Sequence, residues 1–263
     1  MSKLFSYLVK LVLVILSFTF SQAAVADDEW VELFKLHNQT NYVAENYPPA
    51  NFYKDNLLQG VSIDLLHEIW STLSLPKKDV LVVPWVRGYR QLENTPNTVL
   101  FTMSRTKERE DLFKWVGPVF SSTHVLVAKQ KTVIDIKETK DIFKYSVATV
   151  RADISEKSLR KIGFPDQKLA KLSNVKQAFL MLKNERVDLV MLSIHGLHHV
   201  LMELHELRNR YKIVWQVNKI GNYFAFSKET PDLIINKFQQ TLDSLETKRI
   251  EILQKYKLPE EEY

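Results

Sequence analysis

Hydrophobic and polar positions along the first half of the chain follow two spacings, one typical of strands and one typical of helices. Residues 29–36 alternate polar and apolar, which predicts a strand with one buried face. Apolar residues between 65 and 73 recur at helical spacing, and uninterrupted apolar runs follow at 80–83 and 98–101. A further helix is predicted over 86–94. This succession of strands and helices predicts a mostly parallel sheet covered by helices on both faces.

The second half of the chain repeats this pattern without repeating the sequence. Strands are predicted at 122–128, 144–150, 187–192, 212–217 and 223–226. Helices are predicted between them, and the last helix begins at Pro231, a common residue type in the first helical turn. The chain is therefore predicted to be an α/β protein with two lobes.

The first 26 residues have the features of a secretion signal rather than of a folded element. Lys3 supplies a positive charge, residues 11–20 form an apolar run, and Ala-Val-Ala at 24–26 offers a cleavage site before Asp27. The alternative is a retained membrane anchor. An apolar run of about ten residues is short for that, since a bilayer-spanning helix needs about 20. We expect cleavage after Ala26 and export to the periplasm.

Composition limits the possible functions of the remaining chain. Removing residues 1–26 leaves 237 of the 263 residues and lowers the formal net charge from +5 to about +3. This small, evenly spread excess gives no reason to expect a nucleic acid partner. The chain has no cysteine, which excludes disulfides and lipid attachment at the signal site.

The stretch that follows the 98–101 run carries the strongest candidate chemistry. Thr102 and Ser104 supply hydroxyls, and Arg109 supplies a guanidinium a few residues later. Ligands bind at the carboxyl ends of strands in open α/β sheets, and arginine suits a carboxylate. The residues predict an anion site, with a solvated turn and helix start as the alternative.

Aromatic and cationic residues also follow other predicted strands. Tyr47 follows the first strand, Trp85 and Arg87 the second, and Arg151 and Ser193 follow strands of the second half. If both sheets point their carboxyl ends at one cleft, these side chains converge there. Taken singly, Trp85 could equally well pack between helices, and Arg87 and Arg151 could simply be solvent-exposed.

No pattern in the chain supports catalysis, a metal or a cofactor. Six glycines leave little room for a phosphate loop, and the Ser nucleophile motif Gly-x-Ser-x-Gly is absent. His195 and His199 have the spacing of a zinc-protease pair, but no glutamate lies between them. We therefore predict that the protein is not an enzyme and holds no metal or cofactor.

The sequence resembles a known family across nearly all of residues 27–263. The markers are Tyr-Pro-Pro at 47–49, Pro-Trp-x-Arg at 84–87, Gly-Val-Ser-Ile-Asp-Leu-Leu at 60–66, Thr-Lys-Glu-Arg at 106–109, Phe-Lys-Trp at 113–115, Gly-Pro at 117–118, Lys-Asn-Glu-Arg-Val-Asp at 183–188, Tyr-Phe-Ala-Phe-Ser-Lys at 223–228 and Thr-Pro-Asp at 230–232. In this order they resemble the family-3 extracellular solute-binding proteins, the periplasmic receptors of polar amino-acid ABC transporters.

The resemblance implies a type II periplasmic-binding-protein fold, with two lobes joined by two strands that act as a hinge. It implies a first lobe of residues 27–121 and 219–263 and a second lobe of residues 122–218. It further implies a monomer that closes on a small ligand, an amino acid or related carboxylate, and docks on an inner-membrane ABC permease.

The resemblance also assigns roles to residues. Tyr47 and Trp85 match the aromatics that sandwich the ligand, and Arg109 matches the arginine that takes its carboxylate. Ser104 matches the residue that gives backbone and hydroxyl contacts, with Thr102 beside it.

Two positions depart from the family pattern. The acid that pairs with the ligand ammonium would fall at Ser193, and the turn that offers amides to the carboxylate reads Ala152-Asp153. The carboxylate half of an amino-acid site is thus present and the ammonium half is not evident. A ligand sensor partnering a membrane receptor, or an enzyme on the same fold, are the alternative functions.

Overall fold

The computed structural model describes residues 28–258, and the chain divides into two units between Thr40 and Asn41. In the first unit, helix α1 covers residues 28–39, so the strand predicted at 29–36 is wrong. Leu33, Leu36 and His37 are buried, which is the three- and four-residue spacing of a helix face. The secretion signal and its cleavage site lie outside the described residues.

The second unit begins with a parallel arrangement of three strands. Strand β1 (Asn41–Ala44) pairs in parallel with β4 (Val80–Val82) on one side and with β5 (Thr98–Ser104) on the other. Helices α2 (Val61–Thr72) and α3 (Trp85–Asn94) make the connections between them. The helices predicted around 65–73 and over 86–94 are confirmed. Strand β1 replaces the one predicted at 29–36.

A second set of three strands follows the same logic. Strand β7 (Val147–Val150) pairs in parallel with β8 (Leu169–Leu172) and with β9 (Leu189–Ser193). Helix α4 (Ile154–Lys161) connects β7 to β8, and helix α5 (Val175–Lys183) connects β8 to β9. This confirms the prediction of an α/β protein with repeated strand–helix units.

Two strands of 17 residues join these sets. Strand β6 (Phe113–Lys129) and strand β10 (Tyr211–Ser227) pair antiparallel along their length. The sheet order is β4-β1-β5-β10-β6-β9-β7-β8, so the pair runs through the middle of the sheet. We call the side with β4, β1 and β5 the first lobe and the side with β9, β7 and β8 the second lobe. Ser122 pairs with Ile220, so the predicted lobe boundaries lie opposite each other on the two long strands.

Shorter elements complete the unit. A hairpin of β2 (Phe52–Lys54) and β3 (Leu57–Gln59) precedes α2, and α6 (Ile194–Glu203) follows β9 directly. Helices α7 (Asp232–Ser244) and α8 (Glu246–Lys255) close the described chain. No helix among residues 28–258 combines the length and the apolar character needed to cross a membrane.

Strand β9 shows how both faces of the sheet are buried. Val190 and Leu192 belong to one hydrophobic cluster, which includes Phe179 of α5, whereas Leu189 and Met191 belong to another cluster. Successive strand residues point to opposite faces, so this continuous apolar run is covered on both sides, as expected for a strand between helical layers.

Candidate functional site

Arg109, which follows β5, is a buried cation with unused hydrogen-bond donors. Only 1% of its surface is exposed. Its Nη1 donates to the carbonyl oxygen of Ser104 at 3.1 Å, but Nε and Nη2 are buried without a hydrogen-bond partner among residues 28–258. A buried donor without an acceptor costs about 1–3 kcal/mol. An anion placed against these two N–H groups would recover that cost.

Aromatic rings and nearby charges define the surroundings of this guanidinium. Its central carbon lies 5.5 Å from the ring centroid of Trp85 and 5.3 Å from that of Tyr89. Burial lowers the pKa of Arg109, while Tyr89 and Asp153 act in the opposite direction. An arginine stays protonated under such conditions, so the site keeps its positive charge.

Two hydrogen bonds join the lobes, and one of them comes from Trp85, whose ring lies beside Arg109. Trp85 Nε1 donates to the carbonyl oxygen of Ala152 at 3.1 Å, and the hydroxyl oxygens of Tyr47 and Ser193 are 2.5 Å apart. The Ser193 hydroxyl also accepts from the backbone N–H of Gly196 at 3.0 Å and so caps α6. Tyr47, Trp85 and Ser193, which the sequence predicts for one cleft, therefore lie where the lobes meet.

Thr102 and Ser104 lie on the first-lobe side of this region, and both are buried. The Thr102 hydroxyl donates to Asn51 Oδ1 and lies 2.9 Å from the hydroxyl of Ser62. Thr102 has a φ of +57°, a left-handed conformation that costs on the order of 1–3 kcal/mol for such a residue. The Thr102 hydroxyl is thus bound to other first-lobe residues, and the Ser104 carbonyl oxygen holds Arg109 by accepting from its Nη1.

The second-lobe wall is the turn between β7 and α4. Ala152 has a φ of +58°, and its N–H donates to Glu156 Oε2 at 2.6 Å. Asp153 caps α4, and its Oδ2 accepts from Ser155 N at 3.5 Å and Ser155 Oγ at 3.2 Å. This helix start therefore carries a carboxylate at its N-cap, at the position where the sequence has Asp in place of the family's Ser or Thr.

Glu45 and His124 are two further titratable groups that sequence reasoning missed. Glu45 directly follows β1, and burial, with the neighbouring charge of Asp153, raises its pKa to about 8. Its carboxyl is therefore mostly protonated at neutral pH. His124 is buried and lies opposite Ser193 in the β6–β9 pairing. Burial lowers the pKa of His124, against the effect of Asp153.

The predicted cations Arg87 and Arg151 do not join the buried group. Both side chains are exposed, and Arg151 Nη2 contacts the carbonyl oxygen of Lys171 at 3.5 Å. Their assignment to the site stays a prediction. Residues 28–258 contain no group of three histidine, cysteine or acidic side chains arranged to hold a metal ion.

A cavity of about 480 Å³ opens beside Glu45 and Tyr47. Its walls come from both lobes, since Pro84 lines it from the first lobe and Asn174 and His199 line it from the second. A space of this size is in the range of small-molecule pockets.

Comparison with known proteins identifies the class of protein. Residues 40–258 match the family described as bacterial extracellular solute-binding proteins, family 3. The match covers most of the chain, and the protein therefore belongs to this family and is a solute-binding protein. No curated protein matches the chain significantly in sequence.

Solved structures show the same fold at low sequence identity. A mutant of ArgBP from T. maritima superposes with a TM-score of 0.72 at 20% identity, covering 85% of this chain and 98% of that chain. The arginine-, lysine-, histidine-binding protein ArtJ from Geobacillus stearothermophilus gives 0.72 at 17% identity, covering 84% and 97%. A histidine kinase sensor domain with similarity to periplasmic binding proteins gives 0.74 at 17% identity, covering 82% and 95%. These likenesses confirm the predicted two-lobe fold.

Proposed function

We propose that the protein captures a small ligand bearing a carboxylate, an amino acid or a related acid, between its two lobes and delivers it to an inner-membrane ABC permease. The observation that carries the proposal is Arg109, a buried guanidinium with two N–H groups that lack an acceptor. We further propose that the protein works as a monomer in the periplasm and binds its ligand without transforming it.

A carboxylate fits these donors better than other small groups do. Its two oxygens match the planar fork of a guanidinium, and the resulting charge-assisted hydrogen bonds are stronger than neutral ones. Trp85 and Tyr89 flank the guanidinium, which restricts its rotation. The fork therefore has little freedom left to lose when a ligand binds.

Contacts between the lobes link binding to closure. The bonds from Tyr47 to Ser193 and from Trp85 to Ala152 form only when the lobes are together. A ligand that touches both lobes favours this closed form, because it binds that form more tightly than the open one. A permease could then recognise the loaded protein by its closed shape.

A sensory role is the second candidate, and it rests on the likeness to the histidine kinase sensor domain. In that role the same closure would be read by a membrane receptor. A permease gene next to the gene for this protein supports transport, and a sensor-kinase gene in that place supports sensing.

A thermal-shift screen of the purified protein tests the proposed ligand class. The panel contains amino acids, polyamines, dicarboxylates and sugar acids. A ligand at about 100 times its Kd adds about 2.7 kcal/mol to the stability of the folded state, which raises Tm by about 5–10 °C in a chain of this size. We expect the increase in Tm to occur with ligands that carry a carboxylate. Shifts confined to polyamines would contradict the proposal.

A further inference from the structure

A second cavity, of about 410 Å³, lies between the lobes beside α6. The first lobe lines it with Pro49, in the loop after β1, and with Tyr256 and Leu258, which follow α8. The second lobe lines it with residues of α6, among them Leu201 and Met202. Neither the buried arginine of the carboxylate site nor the two rings beside it line this cavity. The cavity is therefore a separate space.

The two walls of this cavity are held against each other by aromatic contacts. The Tyr256 hydroxyl donates to Asp64 Oδ2 at 2.9 Å and accepts from Gly60 N at 3.0 Å, which fixes the ring to α2 of the first lobe. The ring centroid of Phe52 lies 6.1 Å from that of Tyr256 and 5.9 Å from that of His199 on α6. Phe52 thus connects the first-lobe wall to the second-lobe wall.

Much of the cavity wall is apolar, and part of that surface is open to water. Pro49, Leu201, Met202 and Leu258 all line it, and Met202 is 69% exposed. An apolar body placed in the cavity would remove part of this surface from water, which is favourable. The volume lies within the range of small-molecule pockets.

Two cations at this cavity have no carboxylate partner. Arg208 and Lys257 line it and are exposed, and among residues 28–258 neither forms an ion pair. Arg208 Nη1 donates to the carbonyl oxygen of Tyr211 at 2.7 Å, which restricts the guanidinium. The acid of the wall, Glu206, is already paired with Lys183 at 2.8 Å. The cavity therefore offers two positive charges to an anion.

Two histidines of α6 add hydrogen-bonding groups without adding charge. Burial lowers the pKa of His198 and of His199, so both imidazoles are mostly neutral at neutral pH. A neutral imidazole has one donor and one acceptor nitrogen. The positive charge at the cavity therefore comes from Arg208 and Lys257.

We propose that this cavity is a second small-molecule site, which takes an organic anion with an apolar body and a carboxylate. The apolar body packs against Leu201 and Met202, and the carboxylate pairs with Arg208 and Lys257. Because both lobes form the walls, an occupant favours the closed form. It should then strengthen binding at the carboxylate site, since such coupling is reciprocal. This last step alone rests on the proposed function.

The test uses naphthylacetate and naphthylacetamide, which share a ring system and differ in charge. Each is titrated by calorimetry into the purified protein and into Arg109→Ala, which lacks the arginine of the carboxylate site. We expect naphthylacetate to bind both proteins equally well. It should bind at least about threefold more tightly than the amide, because an exposed ion pair contributes up to about 1 kcal/mol. Loss of binding in Arg109→Ala would place the probe at the carboxylate site and overturn the proposal.

Variants of the cavity wall locate the bound probe. Replacing Arg208 and Lys257 together by glutamine should abolish the preference for the acid over the amide. Met202→Glu puts a like charge on the wall and should weaken naphthylacetate binding by at least about threefold. Arg210→Gln is the matched control, because Arg210 is exposed on the same turn and lies 3.7 Å from Glu206; it should bind both probes unchanged. Unchanged binding in the first two variants would overturn the proposal, and thermal melts check that each variant is folded.

A segment of the chain itself is the competing occupant. Glu260, Glu261 and Glu262 closely follow Leu258 in the sequence and could supply the anion for Arg208 and Lys257. Replacing the three glutamates by glutamine should leave the Kd of naphthylacetate within about threefold. If the probe instead binds much more tightly to this variant, the segment is the occupant and the proposal is wrong.

A final titration separates this site from the proposed function. With saturating naphthylacetate, the best carboxylate from the screen should bind at least about fivefold more tightly. Unchanged affinity for that carboxylate would overturn the coupling between the sites. If naphthylacetate binds at this cavity but no carboxylate binds at Arg109, the proposed function fails and the second site stands.

Discussion

The hydroxyls of Tyr47 and Ser193 lie 2.5 Å apart across the lobes, and replacing either of them should weaken ligand binding. A neutral hydrogen bond contributes about 0.5–1.5 kcal/mol net, which corresponds to a factor of about 2–13 in Kd. Losing this hydrogen bond lowers the affinity for the ligand, because ligand binding includes closure of the lobes and the bond stabilises only the closed form.

The two substitutions should differ in their effect on stability. Ser193 also caps α6 by accepting from Gly196 N at 3.0 Å, and loss of such a cap costs about 0.5–2 kcal/mol. Ser193→Ala should therefore lower the Tm of the ligand-free protein. Tyr47→Phe removes no cap and should leave that Tm nearly unchanged.

A double-mutant cycle measures the bond itself. The assay is calorimetric titration of the unmodified chain, Tyr47→Phe, Ser193→Ala and the double variant with the best ligand from the screen, together with thermal melts of each protein without ligand. We expect a coupling energy of about 0.5–1.5 kcal/mol in binding. An unchanged Kd in Tyr47→Phe, with additive effects in the double variant, would refute the reasoning.

Three further predictions concern pH, the cleft rim and the backbone. Burial raises the pKa of Glu45 to about 8 from an ordinary value of 4.5. Between these two pH values the folded state holds a proton that the unfolded state releases. The free energy of unfolding should therefore fall as pH rises through this range, by at most about 1.4 kcal/mol per pH unit. Melts of Glu45→Gln should show a flatter pH dependence, and an unchanged profile would argue against the shift. Glu108 and Lys161 form an exposed ion pair of 3.1 Å between the lobes, so Lys161→Ala should change Kd by less than about fivefold, and a larger change in calorimetry would contradict this. Gly60 has a φ of +132°, and a Cβ there would collide with the carbonyl oxygen of Ala50. Gly60→Ala should therefore lower the free energy of unfolding, measured with denaturant, by about 1–3 kcal/mol. An unchanged free energy of unfolding would contradict this prediction.

The first-lobe half of the site could be predicted from the sequence because its signals are local. The apolar run 98–101 predicts a buried strand, and a strand end followed by hydroxyls and Arg109 predicts an anion site. The structure puts Arg109 at that place, buried and with free donors. The sequence could not predict that the Arg109 side chain lies beside Trp85 and Tyr89, because the position of these two rings depends on how α3 packs.

Glu45 was missed for a reason that can be traced to one element. The apolar pattern over 29–36 fits a strand and also a helix over so short a window, and the structure has a helix there. Placing the strand at 29–36 left Glu45 in a presumed loop. With β1 at Asn41–Ala44, Glu45 follows a strand end and the same rule that identifies the 102–109 stretch would have found it.

Other differences arise from contacts between residues far apart in the chain. The strands predicted at 212–217 and 223–226 are one strand, because pairing with β6 continues through the polar residues between them. Local pattern cannot show such pairing. In the same way, the sequence shows that Ser193 is uncharged but not that its hydroxyl is held by Tyr47.

The central claim, that Arg109 binds the carboxylate of the ligand, is tested most directly by calorimetric titration of Arg109→Ala with the best carboxylate from the screen. The control is Arg105→Ala, because Arg105 is partly exposed and pairs with Glu110 instead. Two charge-assisted hydrogen bonds contribute at least about 3 kcal/mol together, so Arg109→Ala should raise Kd by at least about 100-fold, while the control should leave it nearly unchanged. An undiminished affinity in Arg109→Ala would contradict the account.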